Sequence, residues 1–213
     1  AKFMELDIVG VSFHVGSGCE DPNVYFSALQ DCKKVYDMGK EFGFELNTID
    51  IGGGFPGDDD ETFITMANVI NRGINEIYNG LPVQFIAEPG RYFVTSAYTL
   101  VTSVINKKVV KEEKETKHII YYLSESVYGS FNNTIFDHAM ITLLPFNERN
   151  EKQYECTVYG PTCDSMHKIM SQCKLPDLSI GEVIYIENMG AYTIAASSNF
   201  NGFTQTECVY IIN

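Results

Sequence analysis
Three apolar runs in the first half of the chain, residues 6–15, 46–51 and 83–87, each run straight into a glycine-rich turn. They start at roughly 38-residue spacing, which leaves room for one helix between successive strands and is the rhythm of a parallel β-α sheet. The segments between them supply those helices. Asp21-Pro22 predicts an N-cap with proline at the first helical position, and Leu29, Cys32, Val35 and Tyr36 follow at helical spacing up to a stop at Gly43. Residues 61–79 predict a second helix, with Phe63, Met66, Val69, Ile70, Ile74 and Ile77 on one face and Gly80 as its stop. Such a fold needs a sizeable core, and 45% hydrophobic content in 213 residues provides one.

After Thr95 the rhythm changes. Residues 98–110, 118–123, 155–159, 183–187 and 207–212 read as strands, and one short helix stands out near 164–173. The expectation is an α/β chain: parallel β-α units in residues 1–97, then a mostly antiparallel β domain in residues 98–213. The acidic run Asp58-Asp59-Asp60 and the lysine-rich stretch 107–117 read as solvated turns and edges.

A formal charge of −13 argues against nucleic-acid and anionic-membrane surfaces and suits a cationic small substrate. No run is long enough to span a membrane, and the opening AKFMELDIVG lacks the basic end and cleavage site of a secretory leader. The six cysteines (Cys19, Cys32, Cys156, Cys163, Cys173 and Cys208) form no C-x-x-C pair. Neither a zinc site nor a dithiol redox motif is signalled, and they read as reduced thiols of a cytoplasmic protein.

The chemistry gathers at the strand ends. The first run ends in His14-Val15-Gly16-Ser17-Gly18, the second in Gly52-Gly53-Gly54-Phe55-Pro56-Gly57, and the third in Glu88-Pro89-Gly90-Arg91. In a parallel barrel such ends converge on one face, where ligands bind. Glycines let backbone N–H groups approach an anion, and arginine grips phosphate with paired hydrogen bonds. The second turn also matches G-x-G-x-x-G, but the dinucleotide reading is rejected. Pro56 and the aspartates delay the helix that must open inside that motif, and the acidic residue at the required distance, Glu76, falls in mid-helix. On pattern alone, His14 reads as a packed core histidine, Arg91 can serve as the partner of Glu88, and Asp137 and Asp164 can be turn or cap residues.

Eight stretches in order, "VGVSFHVGSGC", "DIGGGFPG", "AEPGRY", "VYGSFN", "FDHA", "YGPTCD", "ENMGAYT" and "FNGF", span the chain. On these the sequence resembles the eukaryotic-type ornithine decarboxylases. These are pyridoxal 5'-phosphate (PLP) enzymes built from an alanine-racemase-like (β/α)8 barrel and a β domain. The resemblance implies decarboxylation of L-ornithine to putrescine and CO2 in polyamine synthesis, by a cytoplasmic homodimer whose active sites are shared between subunits. It implies that His14 stacks on the cofactor ring and that Glu88 hydrogen-bonds the pyridine nitrogen. Ser17, Gly53, Gly54, Gly90, Arg91 and Tyr192 are implied to hold the cofactor. Asp137 and Asp164 face the distal ammonium of the substrate, Phe136, Phe200 and Asn201 line its pocket, and Cys163 returns a proton to the substrate carbon.

By the same resemblance the chain carries the later barrel units and most of the β domain. The lysine that forms the Schiff base with PLP is expected in an N-terminal segment outside this chain, and antizyme is a possible partner of the full-length protein. Two alternatives stay open: a catalytically inactive regulator like antizyme inhibitor, and a same-fold decarboxylase of lysine, arginine or diaminopimelate. One position departs from the family pattern. Three residues after Asp164, relatives often carry an acidic residue that pairs with a lysine of the partner subunit; this chain has His167.

Overall fold
Parallel hydrogen bonding joins the first three apolar runs into a sheet, β1 (Gly10–Ser12), β2 (Thr48–Asp50) and β3 (Gln84–Ile86), in that order. The structure is a computed structural model that describes residues 1–113, 115–147 and 151–211. It divides into two units, Ala1–Ser96 and Ala97–Asn213.

In the first unit the strands alternate with α1 (Asn23–Glu41), α2 (Asp60–Ile77) and the short α3 (Gly90–Val94). Register places Val11, Ile49 and Phe85 side by side on one face of the sheet. They pack with Tyr25, Leu29, Cys32 and Tyr36 of α1 and Met66 and Ile70 of α2. Fully burying a side chain such as Leu29, Ile49 or Met66 contributes about 1.5–3 kcal/mol. Two tyrosines tie the layers: Tyr78 Oη donates to the Leu29 carbonyl and Tyr25 Oη to the Gly53 carbonyl, both at 3.0 Å. Gly73 lets α2 approach α1, since a Cβ there would lie 2.7 Å from Leu29 Cδ1.

The helix signals hold with two corrections. Pro22 has helical dihedrals and the Asp21 carboxylate accepts the Asn23 amide at 2.9 Å, as the cap reading requires, while Gly43 and Gly80 stand just past the helix ends with positive φ. Val35, however, is exposed: the buried stripe is Tyr25, Leu29, Cys32 and Tyr36, and Val35 sits one residue, about 100°, off it. Nor is the acidic run merely solvated. The Asp59 carboxylate caps α2 by accepting the Glu61 and Thr62 amides, and Asp60 accepts the Tyr92 hydroxyl at 3.0 Å.

The second unit holds a six-stranded sheet of β4 (Leu100–Glu112), β5 (Glu115–Leu123), β6 (Leu144–Pro145), β7 (Tyr154–Tyr159), β8 (Lys168–Leu175) and β9 (Val183–Ile186). Their spatial order is β6-β9-β4-β5-β7-β8, antiparallel except for the parallel pair β5–β7. Its core gathers Val104, Ile119, Leu123, Phe131, Val158, Leu175 and Ile184. Buried Tyr121 pins the loop after β8: its hydroxyl donates to the Pro176 carbonyl at 2.8 Å and accepts the Leu178 amide at 2.9 Å. A single-turn helix, α4 (Asn133–Phe136), precedes β6.

Two expectations fail here. The helix expected near 164–173 is one 3-10 turn, Ser165–His167, followed by β8, whose pairing with β7 buries Ile169 and Leu175. The strand expected at 207–212 has no ladder among its described residues: Val209, Tyr210 and Ile211 are exposed, and Ile212 lies outside the described residues. The lysine-rich stretch forms the ends of β4 and β5. Lys107 is anchored to Asp177 and to the Leu178 carbonyl, and Lys114 lies outside the described residues.

Candidate functional site
In the first unit the ladder carries on past the paired residues and draws the turns together. The Phe13 amide donates to the Asp50 carbonyl, the Ile51 amide to the Ile86 carbonyl, and the Glu88 amide to the Gly52 carbonyl. Gly53 lies where the three ends meet: a Cβ there would stand 2.6 Å from the Glu88 carbonyl oxygen and 3.4 Å from His14 Nε2. Gly54, at φ +107°, packs against Gly16, Val15 and Tyr25, and its carbonyl accepts the Cys19 amide at 2.8 Å. Only glycine fits that combination of dihedral and close approach.

His14 is exposed, so the structure does not support a packed core histidine. Its Nδ1 accepts the Gly16 amide at 2.8 Å, which fixes the ring and puts the neutral tautomer's proton on Nε2. Arg91 donates to Ser17 Oγ from Nη2 at 2.6 Å and from Nε at 3.2 Å, across 74 residues of sequence. The Thr95 hydroxyl holds the Arg91 carbonyl at 2.8 Å. Around Ser17, Gly16 and Gly18 have positive φ and open space where a Cβ would sit, and the position above Gly90 is also open. The Gly90 amide donates to the Glu88 carbonyl at 2.8 Å. Glu88 is exposed. A hydroxyl, a guanidinium and uncrowded glycine turns suit a phosphate monoester, with a ring nitrogen and a carboxylate next to it for the rest of an aromatic cofactor. The donor set fits PLP. Burial pushes the Cys19 thiol pKa up.

In the second unit Asp164 is half-buried and its carboxylate is committed. One oxygen accepts the Tyr128 hydroxyl at 2.6 Å, and the other accepts the Met166 amide at 3.0 Å as cap of the 3-10 turn. The Tyr128 bond, then the Met166 amide, hold its pKa below the ordinary carboxylate value. Phe200 stacks on Tyr128 with ring centroids 4.0 Å apart. Asp164 and Phe200 therefore meet through Tyr128, a residue that sequence reasoning passed over although it lies in the stretch "VYGSFN". Cys163, the neighbour of Asp164, is an exposed free thiol. Phe136 is exposed on α4, Asp137 is its C-cap, and Tyr192 and Asn201 adopt left-handed dihedrals, φ +55° and +57°.

Sequence reasoning also missed what surrounds that loop. His167 is fully buried and contacts Ser126 and Thr162. The Glu125 carboxylate, also buried, accepts the Ser126 and Ser130 amides and the Thr206 hydroxyl.

Comparison with known proteins points the same way. Residues 1–95 match the family model described as pyridoxal-dependent decarboxylase, pyridoxal binding domain. An ornithine decarboxylase from Cricetulus griseus is 44% identical over 100% of this chain and 49% of its own length. An antizyme inhibitor 2 from Xenopus laevis is 45% identical over 99% of this chain and 49% of its own length. The chain thus spans about half the length of the curated relatives it matches. Among solved structures, the Paramecium bursaria Chlorella virus arginine decarboxylase bound to agmatine superposes with a TM-score of 0.87 at 34% identity, covering 96% of this chain and 55% of that one.

Proposed function
Residues 1–95 belong to the pyridoxal-binding domain family of the pyridoxal-dependent decarboxylases, and from that premise we propose that the full-length protein is a cytoplasmic homodimer that decarboxylates L-ornithine to putrescine and CO2. The observation that carries the reading is the meeting of three strand-end turns: Arg91 bonded to Ser17 beside open glycines, with His14 and Glu88 flanking Gly53. Ser17, Gly54, Gly90, Arg91 and Tyr192 would hold the PLP phosphate, and Gly53 would lie beside the rest of the cofactor. When bound, PLP supplies an electron sink for the pair left as CO2 departs.

The remaining tasks fall to side chains of this chain. The Glu88 carboxylate favours a protonated ring nitrogen by opposite charge. His14, its ring fixed by the Gly16 amide, limits tilt of the cofactor ring. Asp137 and Asp164 bind the distal ammonium, Asp164 remaining ionised because Tyr128 and Met166 bond its oxygens. Phe136, Phe200 and Asn201 line the approach, and the exposed Cys163 thiol delivers a proton to the substrate carbon. A simple diamine end suits two carboxylates, which favours ornithine over substrates ending in a second carboxylate. The six free thiols support a reducing compartment.

The antizyme-inhibitor relative supports a second reading, a PLP-free regulator that binds antizyme. Incubating the full-length protein with PLP and ornithine, lysine or arginine, and identifying the amines by mass spectrometry, separates these. Putrescine should dominate. Dominant cadaverine or agmatine would move the substrate, and no amine with no PLP absorbance band would leave only the regulator.

A further inference from the structure
We infer that His167 is a positioning residue, which uses its Nδ1 lone pair to hold the Cys163–Asp164 loop in place from within its own chain. The inference deepens the proposed function and rests on its reading of Cys163 and Asp164.

The geometry is a closed ring of hydrogen bonds. His167 is fully buried. The Thr162 amide donates to Nδ1 at 3.2 Å, and the Thr162 hydroxyl points at the same nitrogen. The amide can only donate, so Nδ1 carries its lone pair and the neutral ring keeps its proton on Nε2. Nε2–H then donates to Ser126 Oγ, which also accepts the Tyr128 amide at 2.9 Å. The Tyr128 hydroxyl crosses back to Asp164 at 2.6 Å, and the Asp164 amide returns to Thr162 Oγ1 at 3.3 Å. The backbone closes the same segment: the Gly160 amide donates to the His167 carbonyl at 2.8 Å, and the His167 amide to the Asp164 carbonyl at 3.0 Å. The Tyr128 ring stands edge-on to the imidazole, 5.0 Å between centroids.

Each link serves the loop. Thr162 lies just before Cys163, and its amide and hydroxyl both meet Nδ1, while Ser126 and Tyr128 anchor the far side. Burial lowers the His167 pKa and so keeps the lone pair available. An acidic side chain at this position would present an acceptor but no N–H for Ser126. The imidazole does both, which makes the device a property of this chain's own residue rather than of an ion pair with another subunit.

The test uses two variants of the full-length protein that change one ring nitrogen each. Asparagine places Oδ1 near the position of Nδ1 and keeps an acceptor for Thr162. Glutamine fills more of the space and reaches toward Ser126, but leaves Nδ1 unreplaced. If His167 positions the loop through Nδ1, His167→Asn, which gives up only the Ser126 bond, raises KM for ornithine at most a few-fold, while His167→Gln raises KM by about tenfold, with kcat reduced less and PLP affinity unchanged. A role in packing alone predicts the reverse order, since glutamine matches the volume better, and that order would overturn the inference. Native KM in both variants would overturn it equally. A second readout does not depend on activity: the rate at which iodoacetamide alkylates Cys163, resolved by peptide mass spectrometry against Cys19. His167→Gln should change the Cys163 rate several-fold and His167→Asn should not. If the native protein makes no amine, the proposed function falls, and the alkylation rates alone decide the inference.

Discussion
Gly53→Ala tests whether the three strand ends form one site. The added Cβ would lie 2.6 Å from the Glu88 carbonyl oxygen, where ordinary contact begins at 3.4 Å, and 3.4 Å from His14 Nε2. The oxygen belongs to backbone and cannot rotate away, so the second and third strand ends must part by about 0.8 Å. Overpacking of this kind costs about 1–3 kcal/mol of stability. The kinetic penalty is larger, because misplacing a reacting constellation by about 1 Å costs on the order of 100-fold. Gly39→Ala is the matched control. Gly39 lies near the end of α1, and its Cβ also meets a neighbour at 2.6 Å, but that neighbour is Leu46 Cδ1, the end of a side chain rather than backbone. There the gain in helix propensity, about 1 kcal/mol, offsets the side-chain adjustment. Urea unfolding and kcat/KM for ornithine, measured on the full-length protein, should show Gly53→Ala destabilised and slowed by about 10- to 100-fold, and Gly39→Ala near native in both. Native turnover in Gly53→Ala, or equal loss in Gly39→Ala, refutes the claim that these turns share one site.

Two further predictions concern stability of the second unit. Tyr121→Phe strands the Pro176 carbonyl and the Leu178 amide in the core and should cost about 1–3 kcal/mol in urea unfolding; a change below about 0.5 kcal/mol contradicts that accounting. His167 has a folded pKa depressed below its ordinary 6.5, chiefly by burial and against the opposing charge of Asp164. The unfolded chain then binds more protons, so stability rises with pH through the interval between the folded value and 6.5 and is lost as pH falls. The slope between these limits should flatten in His167→Asn; an unchanged slope assigns it to other groups.

Much of the first unit was legible because its signals are local. The spacing of apolar runs announced parallel β-α units, and Asp21, Gly43 and Gly80 marked helix limits by capping chemistry that needs only near neighbours. The His14, Gly53 and Arg91 turns could be singled out for the same reason, although only the structure shows Arg91 reaching Ser17. Asp59 was misread because a run of like charges hides a cap, and Val35 because one residue of helical phase separates a buried from an exposed position.

The second unit resisted because pairing decides there. Residues 168–175 become a strand only through β7, and the order β9-β4-β5-β7 brings together segments far apart in sequence. The ring around His167 draws on residues 126–128 and 162–167, whose bonds span up to 41 positions, so no local pattern could announce it.

The most direct test of the central claim, that these turns hold a phosphorylated pyridoxal cofactor, is the ratio of affinities for PLP and for unphosphorylated pyridoxal, measured on the full-length native protein and on Arg91→Ala. Loss of the guanidinium should shrink the preference for PLP by about 10- to 100-fold, the range for a charge-assisted hydrogen bond, with pyridoxal binding unchanged. An unaltered preference would place the phosphate elsewhere and contradict the account.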